Sequence, residues 1–244
     1  MLKKKVSVLD VAIDVITMNG AIQVIVNDYL QADSPHFIAT ANAEMVMMAN
    51  HDKELFDILN GADLVVPDGA GVVWAANQLG CPMQERVAGY DLVQNLLQAL
   101  KNSRAKFYFL GSSPGVAEKA KLYAEKNYPG VNIVGMHDGY FSEAEEGDII
   151  KEIKRLRPDI LLVALGVPRQ EKWIKKHFST LEIPVTIGVG GTLDVMAGVV
   201  KRAPLWMQKA KLEWLYRGML QPKRIGRLMA LPKFVIRILQ YKKH

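Results

Sequence analysis

Short apolar runs alternate with amphipathic segments along the first 200 residues of the chain. The runs are nearly continuous in hydrophobic residues, which is typical of strands buried on both faces of a parallel sheet. Six strands are predicted in this way, at 36–41, 64–66, 106–110, 132–134, 159–165 and 185–189. Helices are predicted at 18–30, 43–50, 52–60, 70–79, 90–102, 114–127, 143–156 and 169–178, and segment 5–13 is predicted to add an edge hairpin. This alternation predicts an α/β fold with a mostly parallel, Rossmann-like sheet and helices on both faces.

The pattern changes near residue 201, where basic helical segments are predicted at 205–219, 222–230 and 233–241. In the last segment a basic stripe lies opposite an apolar side, and lipid is the expected partner of Phe234, Ile238 and Leu239 on that side. We therefore divide the chain into a catalytic domain, 1–200, and a basic helical appendage, 201–244.

Charge is distributed unevenly along the chain. The last 44 residues carry 12 Lys and Arg against one acid, Glu213, whereas the first 200 carry 19 basic and 24 acidic residues. A basic tail on a mildly acidic body predicts an enzyme that meets an anionic membrane surface. No run of 18 apolar residues predicts a spanning helix, and Asp10 and Asp14 interrupt the only candidate signal peptide. With a single cysteine, Cys81, we expect a cytoplasmic protein at the inner face of the membrane.

Polar residues and glycines cluster where the predicted strands end. In open parallel sheets, ligands bind beyond the carboxyl ends of the strands. These positions hold Thr40, Asn42, Asp68, Gly111, Ser112, Asp138, Tyr140, Gly166, Gln170, Gly190 and Asp194. The cluster predicts a site for a polar ligand that carries phosphate.

Two glycine loops are candidates for phosphate contact. The loops at Gly111 and Gly188 each lead into a predicted helix, whose N–H groups and dipole favour phosphate oxygens. Ordinary turns, in which glycine supplies a positive φ, are the alternative. Neither loop is a P-loop, and segment 188–193 lacks the third glycine of a dinucleotide fingerprint, which disfavours a nicotinamide-dependent oxidoreductase.

Three charged residues each have two possible roles. Asp68 is either a general base for an attacking hydroxyl or the N-cap of the helix that follows it. Arg86 either neutralises phosphate or makes an ion pair at the surface. Asp194 either caps a helix or binds a ribose hydroxyl. The local sequence leaves all three questions open.

Metal-binding signals are weak, because the chain has no DxD, HExxH or CxxC sequence and its five histidines lack ligand spacing. We therefore expect neither metal nor cofactor, and a leaving diphosphate then needs cations or helix N-termini. The tail offers Arg217, Arg224 and Arg227, for which anionic lipid or RNA is the alternative partner. Nucleic acid is a poor candidate, since no RNA-binding motif is present.

Five ordered motifs resemble the WecG/TagA/CpsF glycosyltransferase family, and the likeness extends from about residue 6 to residue 244. The motifs are TANAEMV (40–46), VPDGAG (66–71), ERVAGYDL (85–92), ALGVPRQEKW (164–173) and GVGG (188–191). The tail, at 213–217 and 224–229, looks like the branch of the family found in Gram-positive bacteria.

The resemblance implies transfer of N-acetylmannosamine from UDP-N-acetylmannosamine to the 4-hydroxyl of N-acetylglucosamine on undecaprenyl diphosphate, which forms the β-1,4 linkage unit of wall teichoic acid. It implies inversion without metal, Asp68 as general base, and Thr40, Asn42, Arg86 and Gln170 as further active-site residues. It also implies a tail that brings arginines to the diphosphate and binds the membrane, with a monomer there and a possible homo-oligomer in solution. Two rivals stay open: a UDP-N-acetylmannosaminuronic acid transferase acting on the same acceptor, and a noncatalytic membrane-associated nucleotide-binding module.

Overall fold

The computed structural model describes residues 4–210, 213–220 and 230–241. Its first element is an antiparallel hairpin of β1 (Lys5–Val8) and β2 (Val11–Asp14). The predicted hairpin is confirmed, but its expected place as an edge of the main sheet is wrong, since it forms a separate two-stranded sheet. A carboxylate oxygen of Asp14 accepts a hydrogen bond of 2.7 Å from the Val65 amide, so the hairpin lies beside the main sheet without extending its ladder.

The main sheet confirms the six predicted strands and their parallel arrangement. It consists of β3 (His36–Ala41), β4 (Leu64–Pro67), β5 (Lys106–Gly111), β6 (Asn132–His137), β7 (Ile160–Ala164) and β8 (Val185–Gly188). The strands lie in the order β4-β3-β8-β7-β5-β6, and every neighbouring pair is parallel. All carboxyl ends therefore meet at one edge of the sheet.

Helices cover both faces of the sheet, as predicted. Those of the body are α1 (Met18–Gln23), α2 (Ala43–Ala49), α3 (Lys53–Asn60), α4 (Ala70–Gln78), α5 (Gly89–Leu100), α6 (Val116–Asn127), α7 (Glu143–Leu156), α8 (Arg169–Leu181) and α9 (Thr192–Met196). After α1 the chain continues through a π-helical turn (Val24–Asp28) and a 3-10 turn (Tyr29–Gln31).

In β3, β4, β5 and β7, alternate residues enter two different core clusters, one on each face of the sheet. Tyr108 and Leu110 of β5 belong to the first cluster, whereas Phe107 and Phe109 belong to the second. Because both faces are buried, the strands are almost wholly hydrophobic, which explains why their bounds could be read from the sequence.

Three helices of the tail are described: α10 (Leu205–Lys209), α11 (Glu213–Leu220) and α12 (Ala230–Tyr241). The predicted segment 222–230 lies almost entirely outside the described residues. Helix α12 packs on α2 and α4, and Phe234 and Ile238 are fully buried in the first core cluster. The expectation that these two side chains contact lipid is therefore wrong. Val235, Ile236 and Leu239 are the exposed apolar residues of α12, and no described helix is long and apolar enough to cross a membrane.

Candidate active site

A cavity of about 240 Å³ lies at the carboxyl ends of β3, β4, β7 and β8. Seven of the residues predicted from the sequence line it, although they come from five separate stretches of the chain. They are Thr40, Asn42, Asp68, Arg86, Gly166, Gln170 and Gly190. The parallel sheet brings six of them together, because each of the six lies just after, or at the end of, a strand that ends at this edge, whereas Arg86 lies in the loop between α4 and α5.

Two residues at the end of β3 help to build the cavity floor. Thr40 is buried, and its Oγ1 donates a hydrogen bond of 2.8 Å to the carbonyl of Gly188, which ties the end of β3 to the end of β8. Asn42 caps α2, with its Oδ1 accepting a bond of 3.0 Å from the Met45 amide. Both side chains are therefore fixed by backbone partners while they line the cavity.

Asp68 does not cap the helix that follows it. The N-cap of α4 is Gly69, and it makes no side-chain capping bond. One carboxylate oxygen of Asp68 instead accepts a bond of 2.9 Å from the Gly89 amide at the start of α5. This contact holds the carboxylate at the cavity wall, where it can take a proton from a bound hydroxyl.

Gln170, in the first turn of α8, links two loops of the site. Its Oε1 accepts a bond of 3.0 Å from the Gly190 amide, and its Nε2 donates one of 2.6 Å to Glu171. A Cβ on Gly188 would lie 2.8 Å from Gln170 Nε2, so glycine is needed there to leave room for the amide. The Gly190 amide, a candidate for phosphate contact, is thus already bonded within the protein.

Glu171 was not singled out from the sequence, and it is fully buried behind Gln170. Burial raises the pKa of its carboxyl to about 7, against the opposing effect of the bond from Gln170. Its second oxygen has no hydrogen-bond partner among the described residues. A protonated Glu171 can still accept the Gln170 bond, so it fixes which way the Gln170 amide points.

Arg86 makes an ion pair with a residue of the tail. Both partners line the cavity, so the pair is not at the outer surface as the sequence suggested. Its guanidinium contacts the carboxylate of Glu213, at the start of α11. The other oxygen of Glu213 lies 3.3 Å from Arg202 Nε. Arg202 also binds both oxygens of Asp91, at 2.6 and 2.7 Å, and its guanidinium lies over the ring of Tyr90. This network forms the wall of the cavity opposite the strand ends.

Arg202, Glu213 and Trp214 line the cavity, and none of them was predicted as a site residue. Their positions depend on ion pairs between residues far apart in the chain, such as Asp91 and Arg202. One signal was available, since Glu213 is the single acid of a strongly basic tail.

Other predicted residues are not among those that line the cavity: Gly111, Ser112, Asp138, Tyr140 and Asp194. Ser112 donates to Asp194 at 3.3 Å, and Asp194 is not the N-cap of α9, which is Gly191. Tyr140 is 75% exposed. Their role in binding stays a prediction.

The loop at Gly111 has a structural reason for its glycine, because the residue has a φ of 130° and a Cβ would lie 2.4 Å from the Ala164 carbonyl oxygen.

Arg224 and Arg227 lie outside the described residues, as does the side chain of Arg217. Their contact with a diphosphate stays a prediction.

The open parallel sheet, with carboxylate, amide and guanidinium groups in a cavity at its carboxyl edge, is the arrangement of an α/β enzyme with a site for a polar ligand. The chain belongs to the glycosyl transferase WecG/TagA/CpsF family, whose model matches residues 6–244. It is therefore a glycosyltransferase, and the resemblance seen in the sequence motifs is confirmed.

Two relatives with a named activity match almost the full chain. The N-acetylglucosaminyldiphosphoundecaprenol N-acetyl-beta-D-mannosaminyltransferase of Staphylococcus aureus (strain COL) is 36% identical over 240 residues, which cover 98% of this chain and 94% of the relative. The protein of the same name from strain MRSA252 is 35% identical with the same coverage.

Proposed function

We propose that this enzyme transfers N-acetylmannosamine from UDP-N-acetylmannosamine to the 4-hydroxyl of N-acetylglucosamine on undecaprenyl diphosphate, with inversion and without metal. The product would be the β-1,4 disaccharide of the wall teichoic acid linkage unit. The activity named for the relatives supports the sugar and the acceptor. The observation that carries the mechanism is the convergence of Asp68, Arg86 and Gln170 on one cavity.

Asp68 acts as the general base in this proposal. Its carboxylate accepts the proton of the acceptor 4-hydroxyl while that oxygen forms a bond to the anomeric carbon of the donor. The bond from the anomeric carbon to the diphosphate oxygen breaks, and UDP leaves with the electron pair. Attack from the face opposite UDP inverts the anomeric centre. The Gly89 amide keeps Asp68 in place during this step, and a positioned base contributes roughly 100- to 10,000-fold.

Cations stabilise the departing UDP. Arg86 lines the cavity, and a guanidinium matches the geometry of phosphate oxygens. Arg217, Arg224 and Arg227 are proposed to add charge from the tail. The described residues contain no group of three or more His, Cys, Asp or Glu that could hold a metal ion. Activity that survives EDTA treatment unchanged is the expected result, and loss restored by a divalent cation would contradict metal independence.

The appendage, 201–244, is proposed to attach the enzyme to the inner face of the cell membrane as a monomer. Its 12 basic residues favour an anionic surface, at about 1 kcal/mol for each residue near it. Leu205 and Trp206 are strongly exposed in α10. Removal of residues after Lys211 is expected to release the protein from anionic vesicles and to lower activity. Vesicle binding with unchanged salt dependence would contradict this role.

The decisive assay measures turnover of UDP-N-acetylmannosamine and UDP-N-acetylmannosaminuronic acid on a short-chain lipid acceptor. We expect preference for the neutral sugar and a β-linked product. Preference for UDP-N-acetylmannosaminuronic acid would favour the rival transferase. The donor of that enzyme differs from UDP-N-acetylmannosamine by a carboxylate on the sugar. Nucleotide binding without transfer to the acceptor would favour the noncatalytic module.

A further inference from the structure

Glu213 is an anchored residue at the start of an exposed segment. It is 9% exposed, whereas the next two residues, Trp214 and Leu215, are 42% and 37% exposed. A carboxylate is costly to bury unless cations pair with it. Here both of its oxygens have arginine partners, Arg86 and Arg202.

The two partners of Glu213 differ in what else they contact. Arg202 is also bound by both oxygens of Asp91, so it keeps a bidentate ion pair if Glu213 moves away. The ion pair of Arg86 is with Glu213. Arg86 is therefore the guanidinium that an incoming anion can take over by replacing a single carboxylate.

The charge balance of the cavity shows why such an exchange is needed. The charged residues among the described lining are Glu44, Asp68, Glu213, Arg86 and Arg202, which gives a net charge of −1. A diphosphate placed beside three carboxylates and two guanidinium groups meets net repulsion. Without Glu213 the same lining is neutral, and Arg86 has its hydrogen-bond donors available.

The room in the cavity leads to the same conclusion. Its volume of about 240 Å³ lies below the roughly 300–1,000 Å³ of most ligand pockets, and Glu213 and Trp214 form part of its wall. Movement of the Glu213 side chain out of the cavity both enlarges the cavity and removes a negative charge from it.

We propose that Glu213 competes with the diphosphate of the sugar nucleotide for Arg86, so that donor binding replaces the Glu213 carboxylate and turns its side chain out of the cavity. This inference rests on the proposed function, since it takes a nucleoside diphosphate as the ligand. Glu213 thereby lowers donor affinity and couples the ion pairs of the tail to occupancy of the site.

The test is the affinity for UDP, measured by calorimetry, of the full-length wild type and the Glu213→Gln variant. Glutamine keeps the size of the side chain and removes its charge, so UDP is expected to bind roughly three- to tenfold more tightly, as expected for loss of a partly buried competing ion pair. Glu182→Gln is the matched control, since it makes the same charge change at an exposed residue beside the amino end of β8. Uridine, which lacks phosphate, is expected to bind both variants equally.

A double-mutant cycle makes the mechanism specific. In an Arg86→Ala background, Glu213→Gln is expected to have a clearly smaller effect on UDP affinity, because the contested guanidinium is gone and only the net charge of the cavity changes. Weaker UDP binding by Glu213→Gln alone would show that Glu213 orients Arg86 instead, and would overturn the proposal. Unchanged UDP affinity, or an equal gain in the Arg86→Ala background, would also overturn it.

The outcomes also separate this inference from the proposed function. If the wild type binds UDP and the affinity does not depend on Glu213, only the proposed competition is wrong. Absence of UDP binding in every variant removes the sugar-nucleotide donor itself, and the competition with it.

Discussion

The two walls of the cavity are held in different ways. On the strand-edge wall, Thr40, Asp68 and Gln170 each bond to a backbone group of another segment. On the tail wall, Arg202 and Glu213 are held by side-chain ion pairs, next to an exposed Trp214.

This difference suggests that the strand-edge wall carries out the reaction, whereas the tail wall takes part in donor binding. Groups bonded to backbone at the sheet edge move only if the sheet or its helices move, so they suit a base that must stay aligned with a reacting hydroxyl. Ion pairs between side chains can be replaced by ion pairs with a charged ligand. The tail wall is therefore suited to change its contacts when the donor binds. The following predictions, in order of expected effect, test this division.

The largest effect is expected at the strand-edge wall. Replacement of Asp68 by Asn keeps the bond from the Gly89 amide and removes the base, so turnover is expected to fall roughly 100- to 10,000-fold. UDP affinity should stay close to that of the wild type. Steady-state kinetics and calorimetry measure the two quantities, with Asp57→Asn on exposed α3 as the control. Turnover like that of the wild type would exclude Asp68 as the base.

Another part of the tail, helix α12, docks on the body through Phe234, which is fully buried where α12 packs on α2 and α4. Phe234→Ala is expected to weaken that docking by about 3–5 kcal/mol. Protection of residues 230–241 from hydrogen exchange should be lost while the sheet stays protected. Leu239→Ala, at a 46% exposed position, is the control and should change little. Equal loss of protection in both variants would mean that burial of Phe234 does not anchor the helix.

The buried acid behind Gln170 predicts a pH dependence of stability. The pKa of Glu171 is raised to about 7 in the folded protein from 4.5, so its contribution is fully present below pH 4.5 and is lost as the pH rises through 7. The loss amounts to about 3 kcal/mol at pH 8. Glu171→Gln cannot ionise and should not show this loss. Urea unfolding at pH 5 and pH 8 measures the difference, and parallel pH curves for the two proteins would contradict it.

A smaller effect is expected from a methyl group added beside Gln170. In Gly188→Ala the new Cβ would lie 2.8 Å from Gln170 Nε2, so the amide must shift. Because the amide is the end of a flexible side chain, we expect activity to fall roughly ten- to a hundredfold with little loss of stability. Gly147→Ala in α7 is the control, since Gly147 is not among the residues that line the cavity and a Cβ there meets no atom within 4 Å. Similar activity in the two variants would show that the Gln170 position is unimportant.

The sheet and the strand-edge wall could be predicted because both follow from local patterns. Strand β3 has the bounds that its hydrophobic run indicated, since burial on both faces leaves few polar residues in it. Thr40, Asp68 and Gln170 follow strands that must end at the same edge. The exception is the position of Asp68 relative to α4: the structure has Gly69 at the N-cap, and Asp68 bonds to the amide of Gly89, 21 residues further along.

The tail wall could not be predicted in the same way. Arg202 finds Asp91 across 111 residues, and no local pattern specifies that pairing. Glu171 was missed because an acid in an amphipathic helix normally faces water, whereas this one is buried. The apolar side of α12 was visible in the sequence, but its hydrophobicity does not distinguish a lipid surface from a protein core.

The sequence by itself determined the family, the order of strands and helices along the chain, and the residues that end each strand, because hydrophobic period and motif order are properties of the chain alone. Only the tertiary structure decided that Asp68 bonds to the Gly89 amide, that Phe234 enters the core and that Glu213 pairs with Arg86. Each of these depends on two distant segments meeting at a particular angle, which is set by packing of the whole molecule and not by the local pattern of either segment.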